Sequence, residues 1–408
     1  MKGKILYTIF VLLFIVHNIL LAKPPGEIKI GALLSLTGSV SSIGQKSRAT
    51  LEIAAEDINK YLASVGWETR INLIIEDTKA DPNTAVEKLK ALVKQDVKFV
   101  IGPMTSGEVE ATKAVADKSG VILISQSSTA PDLAQSGDNV FRLVPDDNHQ
   151  AEVIARLMWN DGIKFVVPMW RGDVWGDNLS NATHKWFSDM GGETGENVKY
   201  DFETKDFSKY LKTLNSLVEK AIERYGESAV GVYLISLNEA VSILSQAHKF
   251  SSLPKVKWYG SDGTARNSLI LQNTQAASFA EKTRFVNPFY CGATTEKGLN
   301  IADRIESKFG KAPDDYSFIA YDALWIAAMT SIFAGNGNDP AVLKNVLRHT
   351  ANTYYGVTGW TEINDAGDRD FGNYNFWIVE KSDRGFKWER IAKFIADPAL
   401  EGIIIYLK

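Results

Sequence analysis

The strongest constraint on this chain is an alternation of strands and helices that runs along the sequence, restarts and runs again. Residues 27–34 and 70–77 have the apolar patterns of strands, and apolar residues at helical spacing fill 45–64 between them. The same order recurs between about residues 146 and 260. Strands that alternate with helices through short links favour parallel pairing, with helices on both faces of each sheet. We therefore predict an α/β protein with two such units and no low-complexity linker between them.

The first 22 residues resemble an export signal. Met1-Lys2-Gly3-Lys4 is basic, an apolar run extends from Ile5 to Ala22, and Pro24-Pro25 follows it. The alternative is an uncleaved anchor, because the run has about the length that a membrane-spanning helix needs. The sequence predicts an exported protein, periplasmic or on the extracellular face of the cell membrane, either released or held there by an uncleaved N-terminal segment.

Charge and cysteine content narrow the classes of partner. A net charge of −4 over 408 residues argues against a basic nucleic-acid-binding surface. The single cysteine, Cys291, cannot form an internal disulfide. Asn178-Leu179-Ser180 and Asn181-Ala182-Thr183 are glycosylation triplets if the host modifies exported proteins. We expect no nucleic-acid partner and a monomer.

Catalytic motifs are missing from the sequence. It contains no G-x-x-x-x-G-K-[ST] phosphate loop, no G-x-G-x-x-G after a strand, no G-x-S-x-G turn and no H-E-x-x-H. The five histidines are scattered, and Asp368-Arg369-Asp370 does not have the spacing of an EF-hand loop. We therefore predict no enzyme activity, no cofactor and no metal site.

Short hydroxyl side chains follow two predicted strands of the first unit. Ser106 comes after the strand at 98–101, and Ser127, Ser128 and Thr129 come after the strand at 121–125. Hydroxyls and unpaired N–H groups at helix starts form a site for an anion such as a carboxylate. Plain N-capping favours the same residue types, so the residues alone leave both interpretations open.

Two residues of the second unit occupy the corresponding places after its strands. Trp175 can line an apolar pocket or pack into the core. Asp262 can accept a charge-assisted hydrogen bond from an ammonium group or stabilise its own turn. Read alone, each residue leaves both interpretations open.

A family resemblance rests on segments spread in order along the chain. They are Ile30 to Gly38, Ile75-Glu76-Asp77-Thr78 with Asp81-Pro82, Val100 to Pro103, Lys308 to Pro313 with Tyr321-Asp322-Ala323, and Gly359 to Gly367. Together they resemble the branched-chain amino-acid-binding family of type I periplasmic binding proteins, over residues 27–395. The resemblance implies two doubly wound α/β lobes joined by three crossings, with a ligand cleft between them. Lobe one would comprise 27–145 plus 286–360, and lobe two 146–285 plus 361–408.

The resemblance also assigns roles to single residues. It implies that Ser106 holds a ligand carboxylate and that Asp262 holds an ammonium group. Three residues of one loop would contact both charged groups: Ser127, Ser128 and Thr129. Trp175 would cover the ligand, and Ile43 would line the pocket for its side chain. The loop Ser236–Asn238 lacks the tyrosine frequent in the family, which leaves the ligand side chain open.

The function implied by the resemblance is binding without chemistry. We expect the extracytoplasmic substrate-binding protein of an ABC-type uptake system, which closes by a hinge on a small apolar or branched-chain amino acid. Its partner would be the membrane permease of that transporter. The alternatives are a binding protein for an amide, urea or aromatic acid, and a ligand sensor of the same fold.

Overall fold

The computed structural model describes residues 26–310, 312–335, 339–397 and 400–407. The predicted signal segment, residues 1–22, lies outside them. Within the described residues the fold is α/β with two parallel sheets, as the sequence predicts. We call the two units built on these sheets lobe 1 and lobe 2.

Lobe 1 is built on sheet A, whose five parallel strands lie in the order β2-β1-β3-β4-β5. Helices on both faces bury the sheet, since alternate residues of β1 contribute to different hydrophobic clusters: Ile30 packs in one cluster and Leu33 in the other. The elements are β1 Glu27–Leu34, α1 Ser41–Ser64, β2 Arg70–Asp77, α2 Pro82–Val93, β3 Phe99–Ile101, α3 Ser106–Ser119, β4 Ile122–Ser125 and β5 Val140–Arg142.

Lobe 2 is built on sheet B, with parallel strands in the order β10-β9-β6-β7 and β8 also beside β6. The central strand β9 is buried along its whole length, as expected for a parallel sheet covered on both faces. The elements are α4 Asp147–Asn160, β6 Phe165–Gly172, α5 Val174–Asp189, β7 Glu193–Thr194, β8 Val198–Asp201, α6 Ser208–Tyr225, β9 Val230–Ile235, α7 Ala240–Ala247, β10 Lys257–Tyr259, α8 Ser268–Gln272 and α9 Thr274–Lys282.

The last third of the chain contributes to both lobes. Its three long helices pack with lobe 1, where α11 lies against α1 and sheet A. Its long strands form an antiparallel sheet C, in the order β11-β14-β15-β16, which packs on α8 and α9 of lobe 2. The elements are β11 Asn287–Cys291, α10 Glu296–Phe309, α11 Asp315–Ala334, α12 Pro340–Thr353, β12 Tyr355–Gly356, β13 Gly359–Trp360, β14 Asn373–Ser382, β15 Gly385–Asp397 and β16 Leu400–Tyr406.

Two of the three crossings lie later in the chain than the sequence predicts. Strand β11 pairs with β14, so residues 287–291 belong with the C-terminal strands of lobe 2. The second crossing therefore follows residue 291 and does not lie near 286. Asp368 bridges Arg142 at the edge of sheet A, so the third crossing follows residue 369 and not 360. Pairing between distant segments decides both positions, and local sequence patterns do not encode it.

Helix α11 is the one described helix that is long and apolar enough to cross a membrane by length and composition alone. Two-thirds of its apolar window is buried inside the protein. A helix that is apolar on all sides is expected where neighbours surround it, and α11 packs against α1, α12 and sheet A. It is the core helix of lobe 1.

Candidate ligand-binding site

A cavity lies where the carboxyl ends of sheets A and B face each other, the place where open α/β sheets bind ligands. The segments that follow β1, β3 and β4 form one wall, and those that follow β6, β9 and β10 form the other. The space in and at the mouth of the cavity that is not filled by protein atoms is about 460 Å³ and includes open solvent. Its lining residues are Val40, Ile43, Met104, Thr105, Ser106, Ser127, Asp173, Trp175, Leu237, Asp262, Gly263 and Tyr316.

The first polar end of the cavity is the start of α3. Thr105 caps this helix in a reciprocal capping box with Glu108, and Ser106 is its first residue. The Ser106 hydroxyl accepts hydrogen bonds of 3.2 Å from the backbone N–H groups of Thr129 and Ala130, which holds the loop after β4 against the helix. The first N–H groups of a helix lack partners within it, and its dipole favours negative charge there. This end of the cavity is therefore suited to a carboxylate.

The hydroxyl-rich loop after β4 divides into two parts. Ser127 lines the cavity, and its hydroxyl donates to the carbonyl oxygen of Met104 at 2.9 Å. Ser128 is buried, with its hydroxyl 3.0 Å from that of Ser106. The Thr129 hydroxyl donates to Oδ2 of Asp147 at 2.8 Å. Ser128 and Thr129 thus support the cavity wall from behind.

The second polar end of the cavity is Asp262, which is buried in the segment after β10. Its carboxylate accepts hydrogen bonds from Nε2 of Gln150 at 3.0 Å and from the hydroxyl of Tyr316 at 2.5 Å. Tyr316 belongs to α11 of lobe 1, so this bond joins the two lobes. Gln150 Nε2 also donates to Oδ1 of Asp147 at 2.6 Å. One amide group therefore bridges two buried carboxyl groups.

No positively charged side chain in the described part of the chain forms an ion pair with either carboxyl group. Burial raises the pKa of Asp262, although the hydrogen bonds from Tyr316 and Gln150 oppose the shift. Burial, and then the negative charge of Asp262, raise the pKa of Asp147 well above its usual value. A ligand cation beside Asp262 would supply the missing charge.

The wall between the two polar ends is mostly apolar. Trp175 and Leu237 are buried lining residues from lobe 2, while Ile43 lies opposite on α1. Gly263 permits this packing, because a Cβ atom there would lie 2.7 Å from Cδ2 of Leu237 and 2.8 Å from Cη2 of Trp175. The wall suits an apolar group on the ligand.

The two lobes also touch at the rims of the cleft. Asn178 of α5 and Asp132 of lobe 1 exchange two hydrogen bonds, at 3.0 Å from Nδ2 to Oδ2 and at 3.1 Å from the Asp132 N–H to Oδ1. At another rim the N–H and Nδ2 of Asn238 each donate at 3.2 Å, to the carbonyl oxygens of Ser39 and Gly38. The conformation is therefore closed.

No group of three or more histidine, cysteine, aspartate or glutamate side chains suited to a metal ion is present in the described part of the chain. The polar side chains that line the cavity are hydroxyls and the acids Asp173 and Asp262, and the rest of its wall is apolar.

Comparison with known proteins decides the family. The family model described as periplasmic binding protein matches residues 27–384. The chain belongs to this family. This binding protein is 32% identical to an uncharacterized protein of Methanocaldococcus jannaschii, covering 86% of the present chain and 87% of that protein. It is 28% identical to Leu/Ile/Val-binding protein homolog 3 of Brucella melitensis, covering 89% and 92% of the two chains.

Solved structures share the fold of this binding protein. The leucine-binding protein LivK of Thermotoga maritima aligns with a TM-score of 0.73 and 23% identity, covering 89% of the present chain and 97% of that one. An ABC-transporter solute-binding protein of Rhodopseudomonas palustris, in complex with 3,4-dihydroxybenzoic acid, aligns with a TM-score of 0.74 and 17% identity, covering 92% and 99%. These likenesses establish the type I periplasmic binding protein fold.

The structure brings most of the predicted site residues together. Five of the seven line the cavity: Ile43, Ser106, Ser127, Trp175 and Asp262. Ser128 and Thr129 lie behind its wall instead, because their hydroxyls are engaged with Ser106 and Asp147. Trp175 stands in the first turn of α5, not on a loop, since Asp173 caps that helix through the N–H of Gly176. Their roles toward a ligand stay predictions.

Sequence reasoning missed five polar residues of the site. Thr105, Asp173 and Tyr316 line the cavity, the last of them from a distant helix. Asp147 and Gln150 form the layer behind Asp262. The sequence offered one signal for the pair: they lie three residues apart in the first turn of α4, directly after a crossing between the lobes. No comparable local signal marks Tyr316.

Proposed function

We propose that this protein binds a small α-amino acid with an apolar side chain between its lobes. One observation supports this most strongly. Asp262, a buried acid without a positively charged partner among the described residues, lies at one end of the apolar cavity, and Ser106, at a helix start suited to an anion, lies at the other. A free α-amino acid carries an ammonium group and a carboxylate on one carbon, so it complements both ends.

The ligand side chain would occupy the apolar part of the cavity. Ile43, Trp175 and Leu237 surround that part. Two charge-assisted ends and an apolar pocket are consistent with a micromolar dissociation constant, about −8 kcal/mol. The relatives named Leu/Ile/Val-binding proteins support an aliphatic side chain.

Hinge closure would couple binding to a change of shape. Lobe 1 offers Ser106 and Ile43 to a ligand, whereas Asp262 and Trp175 reach it only when lobe 2 has closed. A ligand stabilises the closed state by the contacts that this state alone provides. We take lobe 1 as residues 26–144 with 293–369, and lobe 2 as 145–291 with 370–407.

The biological role would be uptake. The basic start and apolar run of the first 22 residues support export, and membership of the family supports delivery of the ligand to a membrane permease of the ABC class. The protein would then act outside the cytoplasm without catalysing a reaction.

An aromatic acid is the second candidate ligand. The Rhodopseudomonas palustris structure with 3,4-dihydroxybenzoic acid and the flat surface of Trp175 favour it. Such a ligand has a carboxylate but no ammonium group. Asp262 would then stay buried beside it without a positive partner, which is costly for an ionised carboxylate. The amino acid therefore fits better.

Calorimetry and thermal unfolding of the purified protein test the proposal. L-leucine, L-isoleucine, L-valine and L-alanine are compared with benzoate and 3,4-dihydroxybenzoate. An amino acid at 100 times its dissociation constant should stabilise the protein by about 2.7 kcal/mol. Asp262→Asn should weaken its binding by roughly 30-fold or more, because an ammonium loses a buried charged partner worth about 2–5 kcal/mol. The exposed Asp303→Asn is the control. Stabilisation by benzoate alone, or unchanged amino-acid affinity in Asp262→Asn, would contradict the proposal.

A further inference from the structure

Asp147 stands directly behind the cavity in an unusual setting for an acid. It is fully buried in the first turn of α4, where Asp146 is the N-cap. Its two oxygens accept hydrogen bonds from Thr129 and from Gln150. The Gln150 amide that binds it also binds Asp262, so the two acids lie on either side of a single nitrogen.

The surroundings of this pair contain acids and phenols. Tyr316 donates to Asp262, and the negative charges of both aspartates raise the pKa values of Tyr233, Tyr316 and Tyr374, after the larger effect of burial. Asp146 adds a further negative charge from the same helix. His149 is the other titratable side chain of that turn and is partly exposed. The start of α4 offers a partial positive charge, which burial outweighs.

Without a cation, the ionisation of each of these two neighbouring carboxyl groups disfavours the ionisation of the other. When one proton stays on the pair in the ligand-free closed protein, the charge of the pair is −1. An ammonium group beside Asp262 adds one positive charge and makes the second ionisation favourable. The proton then leaves to solvent, and the pair carries −2 against the ammonium.

We propose that Asp147 is a positioning and charge-setting residue for the cation of the ligand, so that binding of an amino acid releases a proton from the Asp147–Gln150–Asp262 network. The inference rests on the proposed function, since it takes an ammonium group as the occupant. It extends that function by making selection for a cation depend on a residue that does not touch the ligand. An anionic ligand would instead favour the protonated pair and take up a proton.

The sign of the pH dependence follows from this exchange. The ligand binds best to the ionised pair, so affinity is full above the raised pKa of the ligand-free pair and is lost as the pH falls through it. Linkage to one proton gives about a tenfold loss per pH unit below that pKa. Asp147→Asn leaves a single acid, Asp262, whose pKa is still raised by burial, so the loss of affinity should move to lower pH.

Calorimetric titration of the wild-type protein with L-leucine, in two buffers of different ionisation enthalpy, counts the protons directly. We expect release approaching one proton per leucine below the raised pKa of the pair, and clearly less release for Asp147→Asn at the same pH. Asp146→Asn is the matched control, because asparagine also caps helices and the buried pair stays intact; it should keep the release. No release, or uptake, by the wild-type protein overturns the proposal, whatever the folding of the variants.

A second measurement does not need a ligand. Below the raised pKa of the pair, the infrared spectrum of the wild-type protein should contain a protonated-carboxyl band that is weaker in Asp147→Asn and unchanged in Asp146→Asn. Equal bands in the wild-type protein and Asp147→Asn overturn the shared proton. If L-leucine fails to bind while the band difference is found, the proposed ligand is wrong but the proton-holding pair stands, so the two failures are distinguishable.

Discussion

Asn178→Ala should loosen the closed state and leave the first encounter with ligand unchanged. Asn178 lies on α5 at the rim of the cleft, and its side chain forms both hydrogen bonds to Asp132 of lobe 1. An ordinary hydrogen bond contributes about 0.5–1.5 kcal/mol. Because this rim is exposed, we take the lower part of that range for each bond. The variant should then lose about 1–2 kcal/mol of closure, or roughly 5- to 30-fold in affinity.

The kinetic signature separates closure from recognition. In the proposed mechanism the open form binds ligand on lobe 1, where the substitution changes nothing, so the association rate should stay near that of the wild type. The loss should appear as faster dissociation in stopped-flow fluorescence, with the intrinsic tryptophans as the probe. Asn181→Ala is the matched control, an exposed asparagine one helical turn further along α5. An unchanged dissociation rate in Asn178→Ala, or an equal change in both variants, would refute the idea that this contact latches the cleft.

Three further predictions concern the frame of the site and its apolar wall. Arg142→Ala should lower the free energy of unfolding by about 3–5 kcal/mol, because it leaves the buried carboxylate of Asp368 without its ionic partner and the Ala130 carbonyl oxygen without the Arg142 donor. A decrease below about 1 kcal/mol in denaturant unfolding would contradict this. Gly263→Ala should reduce leucine affinity at least tenfold and lower Tm, because the new Cβ would lie 2.7 Å from the Ser236 carbonyl oxygen and 2.8 Å from Cη2 of Trp175; unchanged calorimetric affinity would disprove that packing. Trp175→Ala should weaken leucine binding more than alanine binding, and an equal loss for both would remove the indole from the side-chain pocket.

Much of lobe 1 and lobe 2 could be predicted because their elements are local. The strand that ends at Ile101 is marked by its own apolar residues. The helix that starts at Pro82 is marked by its N-cap, since the side chain of Asp81 accepts a hydrogen bond from the N–H of Thr84. The family resemblance is confirmed by the match over residues 27–384. Short elements such as Ser268–Gln272 were not predicted, because five residues hardly define a period.

What could not be predicted depends on distant partners. The assignment of Asn287–Cys291 to lobe 2 depends on pairing with Asn373–Ser382, more than eighty residues further on. Tyr316 enters the cavity because α11 packs across lobe 1, and its position in the sequence is that of an ordinary helix start. Asp262 was identified only through the resemblance, since an aspartate in a turn has equally good local reasons to be there.

The two acids that we propose as the cation site come from different elements. Asp147 starts a helix and Asp262 follows a strand, and only the fold brings both to the amide of Gln150. The local pattern of Asp147 is that of a helix N-terminus, where acids are common for reasons of capping and dipole. Its burial, which changes its pKa, is a tertiary property.

The most direct test of this account is a crystal structure of the protein grown with L-leucine. We predict that the ligand lies in the cavity with its ammonium nitrogen about 3 Å from the carboxylate of Asp262, its carboxylate at Ser106 and the start of α3, and its side chain against Trp175. The Asn178–Asp132 contact should be present in the same crystal. A ligand with its carboxylate turned toward Asp262, or leucine bound outside this cavity, would contradict the account.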